Sequence, residues 1–371
     1  MHGLNEPPIA TLRIEALSAR ALTVALVEPF VIASGRVETT HGVEMEARVE
    51  VGGVRAAGLG EGACLPPVTR EDQPDVLAGV ERAARHLVGR TLSAEPRAIA
   101  EAIEAAVPDS PVTRAGVESA VLDALARIAG VPLRRLLAGG SATRELETDV
   151  TVAIGDPARM AELARAWSAR GFRALKVKVG KDVDTDARAL EAVGRAAPGA
   201  RLRVDANAGY SAAEAIALAA ACRRLSLDVE CWEQPCRADD HDGMAEVAAA
   251  LDEPVIADES VRRLSDVHEL ARVRYADGVN LKLAKLGGVF VALAAGEAAR
   301  AAGLRTMIGG MVETRLGMTA AAHVACALGG VDYVDLDTAW LLATDPYEGG
   351  YVADGPRYTM PETAGLGVTR K

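Results

Sequence analysis

Two patterns of apolar and polar residues divide the chain. Up to about residue 135, strand-like alternation comes first and helical periodicity second. Residues 11–22 alternate apolar and polar positions, and residues 43–59 do so again around Gly52-Gly53, which predicts an antiparallel hairpin. Helical periods follow over 75–88, 97–107 and 112–129, each with turn signals at its ends. Strands segregated from helices in this way predict an α+β layer domain over 1–135.

Beyond residue 145 the pattern changes to short β-branched runs alternating with Ala-rich amphipathic stretches at 157–170, 187–197 and 212–225. Such alternation predicts βα units on a parallel sheet. The strand-like runs end at Thr151, Lys178, Asp205, Glu233, Asp258, Lys282, Gly309 and Asp335, at intervals of 27, 27, 28, 25, 24, 27 and 26 residues. Eight ends at so even a spacing fit a closed barrel over 145–340 better than an open doubly wound sheet. Residues 349–371 lie beyond the last unit and are expected to pack back on the first domain. The expected fold class is therefore α/β, a (β/α)8 or TIM-like barrel with an N-terminal α+β capping domain.

Composition narrows the partners. The 371 residues are half apolar but only 3% aromatic, so the core must be aliphatic. With 41 Lys+Arg against 52 Asp+Glu the net charge is −11, which argues against nucleic acid or an anionic membrane as partner unless a local basic patch overrules it. Residues 1–26 lack a basic start followed by an unbroken apolar core, and no run elsewhere reaches about 18 uncharged apolar residues. A soluble, cytoplasmic protein is expected. Five cysteines without a regular framework predict free thiols in a reducing compartment, and Cys231 and Cys236 lack the spacing of a zinc site.

Side chains at the C-terminal ends of barrel strands face the active site. Asp205, Glu233 and Asp258 end three consecutive strands, so three carboxylates gather in one mouth. They would repel one another unless a cation sat among them, and all-oxygen ligation favours Mg²⁺. The plainer alternative is that each acid caps the following helix. Lys176 and Lys178 are two apart and share one face of a strand. An outward-facing pair is the usual arrangement, but here it would turn Leu175, Val177 and Val179 into the barrel and bury the lysines under helices.

Lys282 ends the sixth run, opposite the second in a ring of eight. Repulsion from Lys176 is expected to lower the pKa of Lys178 towards that of a base. Two opposed bases over a metal suit removal of a proton alpha to a carboxylate, because the metal stabilises the resulting enediolate.

The motifs KVKVG (176–180), VDANAGYS (204–211), EQP (233–235), ADES (257–260), NLKLAKLGG (280–288) and GGMVETRLGM (309–318) occur in order. Together they make the chain resemble the muconate-lactonising subgroup of the enolase superfamily, and within it the dipeptide epimerases related to L-Ala-D/L-Glu epimerase. The resemblance implies that Asp205, Glu233 and Asp258 bind Mg²⁺ and that Lys178 and Lys282 are the two bases. It also implies that Lys176 holds the substrate carboxylate and that Asp335 and Asp337 hold the free α-ammonium of a dipeptide. One acid of that pair could instead cap the next segment.

Thr151 matches a family threonine near the substrate, or is a plain strand residue. Gly310 and Met311 open the loop into a helix whose N-terminal amides would take a carboxylate oxygen, or else the glycines only permit a tight turn. In the family, a loop corresponding to 22–30 closes over the site and reads the second side chain. Here it holds Glu28 and no basic residue, so a hydrophobic or cationic residue is expected rather than an acidic one.

The expected activity is therefore Mg²⁺-dependent epimerisation at the alpha carbon of the C-terminal residue of a dipeptide, with a homo-oligomer left open. An N-acylamino acid racemase, an o-succinylbenzoate synthase or a cycloisomerase would keep the same metal and lysines, but Asp335 and Asp337 count against these. A non-catalytic binding barrel is the alternative of another class. GLGEG (58–62) only imitates a nucleotide loop, and no histidine falls at a strand end.

Overall fold

The computed structural model describes residues 10–33, 35–140 and 142–371. The first nine residues of the expected capping domain, and of the stretch examined for a leader, lie outside them. The N-terminal part is built on β1 (Thr11–Leu22), β2 (Ala25–Ile32), β3 (Gly35–Thr39), β4 (His41–Val51), β5 (Val54–Cys64) and β6 (Thr91–Ser93). β5, β4, β1 and β6 form one antiparallel sheet in that order. Gly52 and Gly53, at φ +57° and +86°, make the two-residue turn between β4 and β5 that the doublet predicts.

Helices Gln73–Leu87, Pro96–Ala106 and Pro111–Ala129 fall where the periodicity places them. The last lies so close to β5 that a side chain at Gly58 or Gly60 would overlap the main-chain oxygens of Ala120 or Gly116. This close approach accounts for two glycines of GLGEG without any phosphate.

The segment 22–30 departs from expectation. It is largely strand: β2 pairs with β3, Val27 N donates to Leu341 O at 2.8 Å, and Ile154 N donates to Val31 O at 3.0 Å. The hairpin is thereby fastened to the barrel.

After β7 (Glu145–Glu147) come eight parallel strands in consecutive order. They are β8 (Val150–Val152), β9 (Ala174–Lys178), β10 (Arg201–Asp205), β11 (Val229–Glu233), β12 (Val255–Ala257), β13 (Gly278–Lys282), β14 (Arg305–Gly309) and β15 (Tyr333–Asp335). All eight expected ends hold to within one residue. The barrel is nearly closed: β15 and β8 share no ladder, but Asp149 N donates to Val334 O at 3.1 Å and Leu336 N to Thr148 Oγ1 at 2.9 Å across the seam. The helix expected over 187–197 begins earlier, at Val183, because the Asp182 carboxylate accepts from Thr185 N and caps it.

Two long-range ties bind the parts. Leu366 N donates to Asp123 Oδ1 at 2.6 Å and Arg127 Nη2 to Val368 O at 3.0 Å, joining the C-terminal segment to helix Pro111–Ala129. The buried Glu61 of β5 accepts from Thr314 N at 3.1 Å, from Gly317 N at 2.9 Å and from Thr314 Oγ1, joining the N-terminal sheet to the start of helix Arg315–Leu328. Among the described residues, no helix is long and apolar enough to cross a membrane.

Candidate active site

The strand ends open into one cleft roofed by the N-terminal part. Phe30, Ile32, Leu65 and Val68 form the roof, and Thr151, Lys176, Lys178, Asp258, Lys282, Gly310, Met311, Asp335 and Asp337 line the barrel side. Alternation along β9 turns both lysines inward, as their spacing requires.

Lys176 is fully buried at the centre of the charges. Its Nζ lies 2.7 Å from Asp335 Oδ2, 2.7 Å from Glu233 Oε2 and 3.0 Å from Asp205 Oδ2. Burial alone would depress its pKa, but Asp335, Glu233 and Asp205 outweigh burial and hold it well above the ordinary lysine value.

Lys178 Nζ is 2.6 Å from Asp205 Oδ2, and Lys282 Nζ is 2.8 Å from Asp258 Oδ2. For Lys282, burial is again overcome, chiefly by Asp258, so its ammonium is favoured. Burial would raise the pKa of Asp205 and Asp258, yet the lysines facing them hold both below the usual carboxylate range. Lys178 thus faces a carboxylate as well as its neighbour Lys176.

Asp205, Glu233 and Asp258 are each at most 1% exposed on adjacent strands. They do not close on one point: among the described residues, no three acidic, imidazole or thiol side chains stand close enough to enclose an ion by themselves. Lysine ammoniums link the carboxylates instead.

The donor chemistry nevertheless suits a hard cation. Asp205 Oδ1 accepts from Asn207 N at 2.8 Å and Glu233 Oε1 from Asn280 Nδ2 at 2.8 Å. Glu233 Oε2, although near Lys176, has no donor aligned for a hydrogen bond. A buried carboxylate oxygen short of a donor, beside two more carboxylates, is an oxygen set that Mg²⁺ fits.

On the opposite wall, Asp335 pairs with Lys176, and Asp337 Oδ2 accepts from Thr151 N at 2.6 Å. Burial, then the neighbouring Asp335, pushes the Asp337 carboxyl up to about 6. Thr151 thus contributes a main-chain donor as well as a side chain.

Three expectations need correcting. The first-turn amides of helix Arg315–Leu328 are already engaged: Arg315 N donates to Asp345 Oδ2 at 3.0 Å, Leu316 N to Thr314 Oγ1 at 3.3 Å and Gly317 N to Glu61. Met311 N likewise donates to Glu313 Oε1 at 2.8 Å. Gly310 has no positive φ, so the turn does not call for glycine there, and a side chain would displace the flexible Met318 methyl. Glu28 is not brought into the lysine cleft; it is half exposed, paired with Arg159, and lines an adjoining cavity.

The sequence reading passed over three residues that organise the site. Lys285 donates to both the carboxylate and the main-chain oxygen of Asp258 from the short helix Leu283–Leu286. Its signal was the i, i+3 spacing from Lys282 within NLKLAKLGG. Asn280, two residues before Lys282, shares that lysine's face of β13. Gln234 Oε1 accepts from Asp258 N at 2.8 Å and from Ser260 N at 3.1 Å, fixing the loop from its other end.

Comparison with known proteins agrees with this layout. Residues 16–138 match the model of the mandelate racemase / muconate lactonizing enzyme N-terminal domain, and residues 159–371 match the enolase C-terminal domain-like model. The chain belongs to this family of the enolase superfamily. It is 40% identical over 356 residues to an aromatic dipeptide epimerase of Herpetosiphon aurantiacus, covering 96% of this chain and 98% of that one.

Among solved enolase-superfamily structures, the substrate-liganded L-Ala-D/L-Glu epimerase of Bacillus subtilis superposes with a TM-score of 0.91 at 33% identity, covering 96% of this chain and 99% of the other. A dipeptide epimerase of Enterococcus faecalis, solved with Mg and L-Leu-L-Tyr, gives 0.89 at 30% identity, covering 96% and 100%. Both likenesses span cap and barrel together.

Proposed function

We propose that this enolase-superfamily chain epimerises dipeptides by 1,1-proton transfer at the alpha carbon of the C-terminal residue. The observation that carries this reading is the opposition of Lys178 and Lys282: β9 and β13 are second and sixth in a ring of eight, and both lysines line one cleft. One lysine, as the free amine, takes the alpha proton, and the electron pair passes into the carboxylate as an enediolate. The other, as the ammonium, returns a proton to the opposite face. No net proton is gained or lost.

Lys176 would hold the substrate carboxylate, and Asp335 and Asp337 would hold the α-ammonium, with Thr151 N keeping Asp337 in place. Asp205, Glu233 and Asp258 would hold Mg²⁺, which would supply Lewis-acid stabilisation of the charge growing on the carboxylate. The relative from Enterococcus faecalis, solved with Mg and a dipeptide, supports Mg²⁺ and a dipeptide as the occupants.

The substrate side chain next to the lysines would meet an apolar wall of Phe30, Ile32, Leu65, Val68, Met311 and Val312. Among the described residues, no arginine lines this cleft. With Glu28 already paired to Arg159, the hydrophobic reading is favoured over the cationic one, and an acidic residue is disfavoured. A dipeptide library in D₂O with Mg²⁺, read by mass, tests the proposal. Deuterium should enter the C-terminal residue of apolar dipeptides and not that of their N-acetylated forms. Strong preference for Ala-Glu would overturn the specificity, and no exchange with any dipeptide would overturn the activity.

A further inference from the structure

Beside the lysine cleft lies a second cavity, of about 280 Å³, that shares Phe30 and Thr151 with it. Trp167, Trp340, Leu163, Leu341, Ala153 and Arg170 line the rest of its barrel side, and Val27, Glu28 and Pro29 of β2 face them. The chain has only three tryptophans and three phenylalanines. Two tryptophans and one phenylalanine line this cavity, and a second phenylalanine, Phe172, packs edge-on against Trp167 at 5.5 Å and Trp340 at 6.1 Å. Trp167 and Phe172 are buried in the core, whereas Phe30 and Trp340 are only partly buried and turn aromatic surface to the cavity.

The walls are held apart in advance. The Arg170 guanidinium sits 4.5 Å from the Trp167 ring and 4.6 Å from the Trp340 ring, and Trp340 Nε1 donates to the Tyr358 hydroxyl at 2.8 Å. Arg170 is therefore occupied by cation–π contacts and Glu28 by Arg159. The cavity offers an incoming group mainly apolar and aromatic surface, already shaped.

Its position assigns which part of a dipeptide it meets. Asp337 is tied to Thr151 N, which lines both cavities, and Asp337 directly precedes the turn Thr338–Trp340 that carries Trp340 into the wall. An α-ammonium held by Asp337 would leave the side chain on the same carbon facing this second cavity. The C-terminal side chain, attached to the carbon between the lysines, would remain under Ile32, Leu65 and Val68.

We propose that the Trp167–Trp340 cavity is the subsite for the side chain of the N-terminal residue, and that it selects large apolar or aromatic residues there. This rests on the dipeptide reading above. The test compares solvent-deuterium exchange at the C-terminal leucine of Phe-Leu and Ala-Leu, with Leu-Phe and Leu-Ala as the reversed pair. In the unaltered protein kcat/KM for Phe-Leu should exceed that for Ala-Leu by about ten-fold or more.

Ala153→Phe fills the cavity and should bring that ratio close to one, while the Leu-Phe to Leu-Ala ratio moves by less than about two-fold. Trp340→Ala removes a wall without filling space and should also lower the first ratio. Equal kcat/KM for Phe-Leu and Ala-Leu in the unaltered protein, or a variant effect confined to the reversed pair, would overturn the subsite. Absence of exchange with all four dipeptides would instead overturn the activity on which it rests.

Discussion

Lys285 grips Asp258 by two oxygens, the carboxylate Oδ1 and the main-chain carbonyl, while Asp258 Oδ2 faces Lys282. Gln234 holds the amide of the same residue. Asp258 is thus tied at both of its peptide groups and both carboxylate oxygens, and only one of those ties runs to a proposed base. Lys285→Met removes one buried partner and leaves the carboxylate poorly compensated. The expected cost is about 3 kcal/mol of stability, read as a lower urea midpoint at unchanged slope. A loss below about 1 kcal/mol would show that water replaces the ammonium.

The two proposed bases separate by stereochemistry. Lys178→Ala and Lys282→Ala should each abolish wash-in of solvent deuterium from one stereoisomer of the C-terminal residue while leaving measurable exchange from the other. A fall of about 10³-fold is expected on the affected isomer. Circular dichroism would confirm that both variants fold. Equal loss from both isomers in each variant would mean that the lysines do not divide the two faces between them.

Asp337→Asn keeps the shape of the side chain and removes its charge. If Asp337 holds the α-ammonium, kcat/KM for free dipeptides should drop by about 10²-fold, because one partner of a desolvated charge pair is lost. Any residual activity on N-acetylated dipeptides should be unaffected. Parallel loss on both substrate types would indicate instead that Asp337 serves Thr151 and the local backbone.

The alternation of short β-branched runs with Ala-rich amphipathic stretches located the barrel well, because each strand end is fixed by its own local run and by the regular length of the βα units. The ligand-like acids and both proposed bases were legible for the same reason: they stand at ends of strands. What was not legible depends on contacts distant in sequence. β2 owes its strand form partly to Leu341, more than 300 residues away, so residues 22–30 looked like loop. The amides at the start of helix Arg315–Leu328 looked free because two of the acceptors are distant: Asp345 takes Arg315 N from 30 residues away, and Glu61 takes Gly317 N and the Thr314 amide, the latter from 253 residues away. Lys285 sits on a helix of four residues, too short for any period to reveal its direction.

That same helix, Arg315–Leu328, makes the stability of the protein depend on pH in two opposed ways. His323, fully buried on it, accepts from Arg134 N at Nδ1, 3.0 Å, so Nε2 carries the hydrogen towards Leu366 O, 3.3 Å away. Burial depresses its pKa to about 3, against about 6.5 in an unfolded chain. Between those values the unfolded chain binds the extra proton. Its contribution is therefore complete above about pH 6.5 and is lost at about 1.4 kcal/mol per unit as the pH falls towards 3.

Glu61 works in the other direction. Burial, then Glu313, raises its carboxyl to about 8, so stability linked to the protonated form is complete below the unfolded value of about 4.5 and is lost as the pH rises through 8. Between about pH 4.5 and 6.5 the two contributions run against each other, and Glu118, Glu259 and Glu313, pushed up to about 8, 7 and 7, add to the alkaline loss, so each group is read as the difference in urea midpoint between a variant and the unaltered protein. The His323→Asn difference should change with pH below about 6.5 and the Glu61→Gln difference between about 4.5 and 8. A pH-independent difference for His323→Asn would transfer the acid dependence to other groups, and one for Glu61→Gln would mean that Glu61 is already ionised where it caps the helix.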